Sequence, residues 1–527
     1  MARKSISADE IIGRDLARAL CAISTGINRQ VGLLVHRSGK IERVIVGDHD
    51  RIVIPPLSTI RTAGGRLRGL RCVHTCFGRT GMNDEDIMDL ACLRLDLMAV
   101  LTMHEGLPQH IYTAYLDPQQ VYGKDWAMLD VVHPSRQSIS CLAFIEELED
   151  QFVKNRPIKH VEKGRDQAVL ISVTTGALNL AGESLDELEE LARSADVMVL
   201  DRVIQRRKSI HPRFILGKGK LMEIMLRSLH LGANLLIFDQ ELNPSQIRSV
   251  TEHTDLRVID RTQLIQDIFA RRALSREGKL QIEMAQLKYM LPRLSSRDDA
   301  LSRLTGGIGA RGPGETRLEI DRRRINDRIA RLTRELKSVG QERFYRRSRR
   351  RKRDIPVISL VGYTNAGKST LLNTLTHSRI KVEDLLFATL DPTSRRLRFP
   401  EEMEVIITDT VGFIRNLPAE LLKAFESTLE ELYEADLLVH VIDVANPAYK
   451  EQMEVVESLL RDLGLDTIPC LRAFNKIDRA DENSLKRVAR IEGIPICALD
   501  EKTLTPLLEQ ARNILHSIFP QYMRVRK

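Results

Sequence analysis

The stretch Gly362-Tyr363-Thr364-Asn365-Ala366-Gly367-Lys368-Ser369 decides the fold of the last third of this 527-residue chain. It follows an apolar run that ends at Val361 and opens a helical run that starts at Thr370. A strand, a Gly-rich loop and a helix in this order form a phosphate-binding loop, because the loop amides and the helix N-terminus point at phosphate oxygens. We therefore predict an α/β domain that binds a nucleoside triphosphate, with Lys368 on its β- and γ-phosphates and Ser369 on Mg²⁺.

A second motif, Asp409-Thr410-Val411-Gly412, follows the apolar strand that starts at Val405. The carboxylate of Asp409 would reach the magnesium ion through its water shell. The amide of Gly412 would approach the γ-phosphate, because glycine has no side chain that obstructs it.

Thr389 lies between these two motifs, in the segment Leu386 to Thr393. Its hydroxyl would ligate Mg²⁺ and its amide would contact the γ-phosphate, so that the segment relaxes after hydrolysis. Thr393 is the alternative for this role. We take Lys368, Thr389 and Gly412 as the candidate catalytic residues, and Ser369 and Thr389 as the candidate metal ligands.

The motif Asn475-Lys476-Ile477-Asp478 predicts that the base is guanine. A buried carboxylate at Asp478 accepts from N1–H and from the exocyclic amine of guanine, whereas adenine has neither donor in that place. Asn475 would brace the neighbouring loops, and the stem of Lys476 would cover the base. The stretch Cys497-Ala498-Leu499 resembles the S-A-[KL] loop of guanine nucleotide-binding proteins, with Cys in place of Ser. The resemblance implies that the amide of Ala498 serves the guanine O6.

The predicted nucleotide-binding residues therefore come from five short stretches of the chain. They are Gly362, Tyr363, Thr364, Asn365, Ala366, Gly367, Lys368, Ser369, Thr370, Phe387, Ala388, Thr389, Leu390, Asp409, Thr410, Val411, Gly412, Asn475, Lys476, Asp478, Cys497, Ala498 and Leu499.

Phe413 stands where many GTPases carry a Gln that orients the attacking water. Because Phe cannot do this, we expect slow intrinsic turnover that a partner accelerates. Asn365 stands two places before the second loop glycine, where it resembles the Asn of potassium-activated GTPases. The resemblance implies a K⁺ ion held against the phosphates, which would supply the charge of an arginine finger, and the alternative is an Asn that braces the loop.

The net charge of +8 is concentrated in one segment. Residues 276–354 carry +12, which leaves −4 for the rest of the chain. The run 343–353 alone has eight Lys or Arg in eleven positions. This run is either a solvated hinge or an anion-binding linker that faces nucleic-acid phosphate.

Hydrophobic patterning predicts a multidomain α/β protein with four segments. They are an α+β extension of unknown role (1–160), a parallel-sheet α/β domain (166–275), a long helical hairpin with a Gly-rich loop and a basic linker (276–353), and the phosphate-loop domain (354–527). The first hairpin helix should end near Pro292, and the second should begin near Glu315. The second helix carries a heptad-type apolar stripe of Leu318, Ile325, Ile329, Leu332, Leu336 and Val339.

Other sequence features argue against secreted and membrane classes. The N-terminus turns acidic before any apolar stretch, and no run of about 18 apolar residues exists. An odd number of Cys, seven, at irregular spacing argues against a disulfide framework. We expect a cytoplasmic monomer without a membrane span.

The extension contains His74-Thr75-Cys76 and, further on, Asn83 to Asp86. This resembles the H-x-H…S-x-x-D zinc signature of JAMM-type metal hydrolases, with Cys for the second His, Asn for Ser and a gap one residue short. Zinc accepts Cys as a ligand. We nevertheless expect a degenerate or purely structural element here instead of a working zinc site.

Taken together, residues from about 166 to 520 resemble the HflX family of GTPases. The Gly-rich stretch Leu301 to Arg324 resembles a signature of that family, and Phe387–Thr393 with Asp409–Phe413 resemble its switch regions. Phe214–Lys220 and Phe238–Gln246 resemble its N-terminal domain.

The resemblance implies binding to the large ribosomal subunit and its RNA, with GTP-dependent dissociation of stalled or idle ribosomes under stress. Some members of the family also bind ATP through the N-terminal domain, but no motif here establishes that site. Two alternatives stay open from the residues alone. One is a GTPase switch that acts on a protein effector without RNA contact, and the other is an ATP-driven enzyme, against which Asp478 argues.

Overall fold

A computed structural model provides the structure of the chain. It describes all residues except 1–5, 56, 58–65, 79–80, 119–125, 138, 155–164, 211–214, 252–253, 255, 306–316, 352–354, 378–385, 388–392, 400–402, 416–420, 422–431, 489 and 521–527. The chain divides into two compact units. The first comprises 1–189 and 196–261, and the second comprises 190–195 and 262–527.

The first unit opens with an α+β layer built on a six-stranded sheet. Its elements are α1 (Arg14–Ile27), β1 (Val31–His36), β2 (Ile41–Val46), β3 (Leu70–Cys76), α2 (Asp84–Cys92), β4 (Leu97–His104), β5 (Leu107–Leu116), β6 (Trp126–Met128), a 3-10 turn (Pro134–Arg136) and α3 (Cys141–Lys154). The strand order is β2-β1-β3-β4-β5-β6, and the neighbours are antiparallel except for the parallel pair β3 and β4. Because apolar side chains cover both faces, β3 and β4 are buried along most of their length.

A four-stranded parallel sheet forms the rest of the first unit. Its elements are β7 (Gln167–Thr174), α4 (Leu178–Ser194), β8 (Met198–Arg206), α5 (Lys218–Leu231), β9 (Leu235–Phe238), α6 (Pro244–Thr251) and β10 (Arg257–Asp260). The strand order is β10-β9-β7-β8. The parallel sheet predicted for this segment is therefore present. Leu226 and Leu229 of α5 share a core with Leu90 of α2, so the extension packs directly on this sheet.

Long helices begin the second unit: α7 (Arg261–Arg272), α8 (Arg276–Thr305) and α9 (Arg317–Arg351). The predicted hairpin is confirmed, since α8 and α9 lie side by side. Arg328 on α9 donates two hydrogen bonds to the carboxylate of Glu283 on α8, at 2.7 and 2.8 Å. In the apolar stripe of α9, Leu332 is buried, and its described neighbours are partly buried.

Two boundary predictions in this region are wrong. The first helix does not end near Pro292, because α8 runs through that proline. Packing of the helix before this point, with Ala285 and Tyr289 buried, outweighs the local cost of a missing N–H. The basic run is not a linker, because α9 continues through it to Arg351. Residues 341–351 contain no Gly or Pro, and Arg is a good helix former.

The last part of the second unit is an α/β domain with a six-stranded sheet. Its elements are β11 (Val357–Gly362), α10 (Lys368–Thr376), β12 (Thr393–Arg398), β13 (Glu404–Asp409), a 3-10 turn (Leu432–Glu434), β14 (Leu437–Asp443), α11 (Tyr449–Asp462), β15 (Cys470–Asn475), α12 (Glu482–Val488), β16 (Ile494–Pro495), a second 3-10 turn (Glu501–Leu504) and α13 (Thr505–Ile518). The order is β12-β13-β11-β14-β15-β16, with β12 antiparallel to β13 and the other pairs parallel.

The multidomain α/β fold class is therefore confirmed. Within the described ranges, no helix is both long enough and apolar enough to cross a membrane.

Candidate nucleotide site

The predicted site residues lie at one edge of the third sheet. The strands β11, β13, β14, β15 and β16 are parallel, so their carboxyl ends share that edge. The loops after β11, β13, β15 and β16 carry the motifs identified in the sequence. A crevice outside the carboxyl ends of parallel strands is the usual ligand site of such sheets.

Two glycines shape the loop after β11. Gly362 has φ +151°, and a Cβ there would lie 2.3 Å from the carbonyl oxygen of Val441. Gly367 has φ +95°, and a Cβ there would lie 2.3 Å from the side-chain nitrogen of Asn475. Both positions therefore require glycine, for conformation and for space.

Lys368 lies at the floor of this loop, at the first turn of α10. Its side chain is buried, and its ammonium donates to the carbonyl oxygens of Gly362 at 3.0 Å and Tyr363 at 2.8 Å. Burial lowers the pKa of Lys368 to about 8, although the negative charge of Asp409 acts in the opposite direction. A buried ammonium that bonds mainly to neutral carbonyls is suited to receive an anion.

Ser369 and Asp409 form a pair with the chemistry of a magnesium site. The Ser369 hydroxyl donates to Asp409 Oδ2 at 2.5 Å, which joins the start of α10 to the end of β13. Hydroxyl and carboxylate oxygens are hard ligands of the kind that Mg²⁺ takes together with phosphate oxygens and water. The pair therefore fits this ion. Thr389, the other predicted ligand, lies outside the described residues, together with Ala388 and Leu390.

The segment after Asp409 is held against the phosphate loop. Thr364 N–H donates to the carbonyl of Phe413 at 2.8 Å, and Phe413 N–H donates to the carbonyl of Gly362 at 3.1 Å. A Cβ at Gly412 would lie 2.8 Å from Thr364 Cα and 3.1 Å from the Lys368 ammonium. The glycine thus lets this segment approach the lysine closely.

Phe413 is almost fully buried, with 2% of its surface exposed. Its ring packs into the protein and carries no polar group that could bind or orient a water molecule. Tyr363, which sequence reasoning placed only in the phosphate loop, has a second role, because its hydroxyl accepts from the backbone amide of Arg415 at 2.8 Å.

Asn475 joins the phosphate loop to the loop after β16. Its side-chain amide donates to the carbonyl of Ala366 at 2.8 Å, and its side-chain oxygen accepts from the amide of Ala498 at 2.9 Å. The ammonium of Lys476 donates to the carbonyl of Asn365 at 2.9 Å and pairs with Asp443 at 2.7 Å. The bracing that the sequence predicts for Asn475 is therefore present as geometry.

Two details differ from the sequence-based expectation. The side chain of Asp478 is 42% exposed and not buried, because it lies on a turn beyond the end of β15. The amide of Ala498, expected to serve guanine O6, donates to Asn475 instead.

Two threonines that the sequence did not single out fix the loop after β16. The Thr374 hydroxyl donates to the carbonyl of Ala498 at 2.6 Å, and the Cys497 amide donates to the Thr503 hydroxyl at 2.9 Å. No motif in the sequence marks these two positions.

Phe387 is the described member of the predicted stretch 387–390. Its ring is buried and meets the ring of Phe269 edge to face, with centroids 4.5 Å apart. The side chain therefore packs into the protein and does not line the edge where the motif loops meet.

In the extension, His74 and Asp86 are both buried, with His74 Nε2 3.1 Å from Asp86 Oδ1. Asp86 also forms a capping box with Asn83 at the start of α2. Cys76 Sγ accepts from the amide of Gly78 at 3.3 Å. Within the described residues, no group of three or more His, Cys, Asp or Glu is arranged to hold a metal ion. Asn83 and Asp86 thus have a structural role in the helix cap.

Comparison with known families covers most of the chain after residue 181. Residues 182–270 match the family described as GTP-binding GTPase N-terminal, and residues 272–350 match GTP-binding GTPase Middle Region. Residues 357–476 match the family described as 50S ribosome-binding GTPase.

Curated relatives agree with these matches. A GTPase HflX from Lacrimispora saccharolytica is 47% identical over 361 residues, which cover 68% of this chain and 85% of that protein. The chain belongs to the HflX family of GTPases. The HflX of Escherichia coli K12 is 47% identical over 300 residues, which cover 57% of this chain and 70% of that protein. A solved GTP-binding protein from Sulfolobus solfataricus, in complex with GDP, is 27% identical over 68% of this chain and 99% of that chain, with a TM-score of 0.36.

Membership of the HflX family confirms the resemblance drawn from the motifs. The three family matches end at 476 and begin at 182, so the extension lies outside them.

Proposed function

We propose that this chain binds GTP at the edge where these loops meet and hydrolyses it to GDP and phosphate, and that the bound nucleotide controls its attachment to the large ribosomal subunit. The observation that carries the proposal is the pair of hydrogen bonds made by the Asn475 side chain, which tie the phosphate loop to the loop after β16. This tie supports a phosphate site and a base site at the same edge of the sheet.

In hydrolysis, water attacks the γ-phosphate in line. Lys368 and the amides of the loop 362–367 stabilise the negative charge that spreads over the transferring oxygens. Ser369, Asp409 through water, and Thr389 would hold the magnesium ion. When bound, Mg²⁺ neutralises charge on the β- and γ-phosphates. A Cβ at Gly412 would lie 3.1 Å from the Lys368 ammonium, and this closeness supports an approach of the Gly412 amide to the γ-phosphate.

Base selection rests on Asp478. Its carboxylate accepts from N1–H and the exocyclic amine of guanine, and the same oxygens would face no such donors on adenine. The exposure of Asp478 means that the base itself must exclude water from the carboxylate for this discrimination to be large. The stem of Lys476, fixed at Asn365, supports the base from one side.

GTP hydrolysis by the chain alone should be slow, because the buried ring of Phe413 has no polar group that could orient the attacking water. A K⁺ ion at Asn365, whose side chain is exposed, would add positive charge beside the phosphates. Docking on the ribosome would raise the rate further by ordering the segments around Thr389 and Gly412.

The ribosomal part of the proposal rests on charge and family. Residues 276–354 carry +12, and most of them lie on α8 and α9, a long helical pair suited to follow folded RNA by shape and phosphate contacts. The family matched by 357–476 is described as a 50S ribosome-binding GTPase. We propose that the chain acts in the cytoplasm as a monomer and separates stalled or idle ribosomes under stress.

A nucleotide titration tests the enzymatic part. The full chain should bind GTP and GDP far more tightly than ATP, and should release phosphate from GTP only in the presence of Mg²⁺. Equal affinity for ATP and GTP would reject the guanine assignment and support the ATP-driven alternative.

A further inference from the structure

The side chain of Tyr363 holds the segment that follows Gly412. Tyr363 is the second residue of the phosphate loop, and its hydroxyl accepts a hydrogen bond from the backbone amide of Arg415 at 2.8 Å. The tyrosine is buried, with 6% of its surface exposed. A phenylalanine would fill nearly the same space, but it could not accept this bond. The contact therefore depends on the hydroxyl and not on the ring.

Two main-chain hydrogen bonds join the same stretches of chain. Tyr363 and Phe413 form an isolated parallel bridge. The amide of Thr364 donates to the carbonyl of Phe413 at 2.8 Å, and the amide of Phe413 donates to the carbonyl of Gly362 at 3.1 Å. If this parallel ladder continued, the Arg415 amide would donate to the carbonyl of Thr364.

The ladder stops at this point because the phosphate loop turns. Residues 364 and 365 form a turn, and Asn365 has φ +60°, in the left-handed region. The loop thereby leaves the line of β11, and the Tyr363 hydroxyl receives the Arg415 amide in place of a main-chain carbonyl. We call these three hydrogen bonds, two from the main chain and one to the Tyr363 hydroxyl, the clasp.

Gly412 lies between the clasp and the end of β13. On the strand side, the Thr410 hydroxyl donates to the carbonyl of Leu360 at 2.6 Å. The segment is therefore tied down on both sides of the glycine. A Cβ at Gly412 would lie 2.8 Å from Thr364 Cα and 3.1 Å from the Lys368 ammonium. Small movements of the segment thus change how closely the Gly412 backbone approaches the lysine.

We infer that Tyr363 is a positioning residue for GTP hydrolysis, whose hydroxyl keeps the Gly412 amide beside Lys368 for the γ-phosphate. The inference rests on the proposed function, because it takes the Gly412 amide as a contact of the γ-phosphate. A donor that is already in place stabilises the charge of the transition state without reorganisation during the reaction. GDP has no γ-phosphate, so its binding should not depend on this placement.

The test measures two quantities in the full-length chain, the GDP dissociation constant and the single-turnover rate at saturating GTP with Mg²⁺. Tyr363→Phe removes only the hydroxyl. The rate should fall about five- to tenfold, the factor that one hydrogen bond supplies, and the GDP dissociation constant should stay within about twofold of the wild type.

Tyr433→Phe is the matched control. The Tyr433 hydroxyl also bonds to the main chain, at the carbonyl of Leu463 at 2.7 Å, near the amino ends of β14 and β15 and away from the motif loops. This variant should change neither the rate nor the GDP dissociation constant.

Amide hydrogen exchange of residues 410–415 in the GDP complex reports the position of the segment directly. Exchange should be about five- to tenfold faster in Tyr363→Phe, because the segment opens more often without the third bond, and unchanged in Tyr433→Phe.

An unchanged hydrolysis rate in Tyr363→Phe, or unchanged exchange of residues 410–415, overturns the positioning role. An equal loss of rate and of GDP affinity also overturns it, since that result means general damage to the phosphate loop. Failure of the wild type itself to bind guanine nucleotides or to hydrolyse GTP would instead reject the proposed function, and the inference with it.

Discussion

The side-chain amide of Asn475 lies 2.8 Å from the carbonyl oxygen of Ala366 and donates a hydrogen bond to it. This bond ties the end of β15 to the phosphate loop. The second bond of the same side chain, from the Ala498 amide, extends the tie to the loop after β16. Asn475 is 1% exposed, so its side chain is shielded from water. The two bonds therefore supply hydrogen-bond partners to the Asn475 side chain, the Ala366 carbonyl and the Ala498 amide.

Asn475→Ala should weaken GDP and GTP binding together. The change leaves the Ala366 carbonyl and the Ala498 amide without their partner, at a cost of about 1–3 kcal/mol, which corresponds to roughly 5- to 150-fold in affinity. Titration with a fluorescent GDP measures this. Asn234→Ala is the matched control, because Asn234 also accepts from a backbone amide, that of Gln167 in the four-stranded sheet. Wild-type affinity in Asn475→Ala would contradict the bracing role.

Asp478→Asn should exchange the preferred base. The Asn oxygen accepts from N1–H of xanthine, and the Asn amide nitrogen donates to the 2-oxo group of xanthine. Guanine carries an amine in place of that oxygen, so two hydrogen-bond donors would face each other. We expect GTP affinity to fall about 100-fold and XTP affinity to rise. Competition of XTP and GTP against labelled GDP measures both. Retained preference for GTP would show that Asp478 does not read the base.

Lys368 gives a prediction about pH. Its folded-state pKa is lowered from 10.5 to about 8, mainly by burial, so the charged lysine destabilises the nucleotide-free protein below pH 8. As pH rises from about 8 towards 10.5, the unfolded chain keeps the proton that the folded chain has lost. The destabilisation therefore fades over that window.

Lys368→Met carries no titrating group, so it isolates this contribution. The free energy of unfolding of the wild type should gain about 2 kcal/mol relative to Lys368→Met between pH 7 and 9.5. Urea unfolding without nucleotide at the two pH values measures the difference. A constant difference would mean that the ammonium is not destabilised by burial.

Asn365 decides whether potassium takes part. If its exposed side chain holds K⁺ against the phosphates, GTP hydrolysis should be at least about tenfold faster in K⁺ than in Na⁺, and Asn365→Ala should remove that difference. Single-turnover hydrolysis at matched ionic strength measures both rates. Equal rates in K⁺ and Na⁺ would leave Asn365 as a loop brace alone.

Features governed by local sequence were predictable. The backbone angles and close contacts at Gly362 and Gly367 require glycine there, and Lys368 lies at the loop as its motif predicts. The strand predicted before each motif is also present. Asn475 was predictable as a brace, because a buried amide after a strand must find both a donor and an acceptor.

Features governed by tertiary context were not predictable. Pro292 marks a helix end by local rules, but α8 continues because the packing around it favours the helix. The exposure of Asp478 depends on how the turn after β15 leaves the sheet, and the contacts of Phe387 join residues more than a hundred positions apart. No short pattern contains such information.

We propose that GTP directs this chain to the large ribosomal subunit. Sucrose-gradient co-sedimentation with isolated subunits measures this, with a GTP analogue, with GDP, and with Lys368→Ala in the presence of the analogue. The wild type should move with the large subunit in the presence of the analogue, GDP or Lys368→Ala should release it, and high salt should weaken the association. Absence of the wild type from the large-subunit fraction with the analogue, or an association unchanged by high salt, would reject this role.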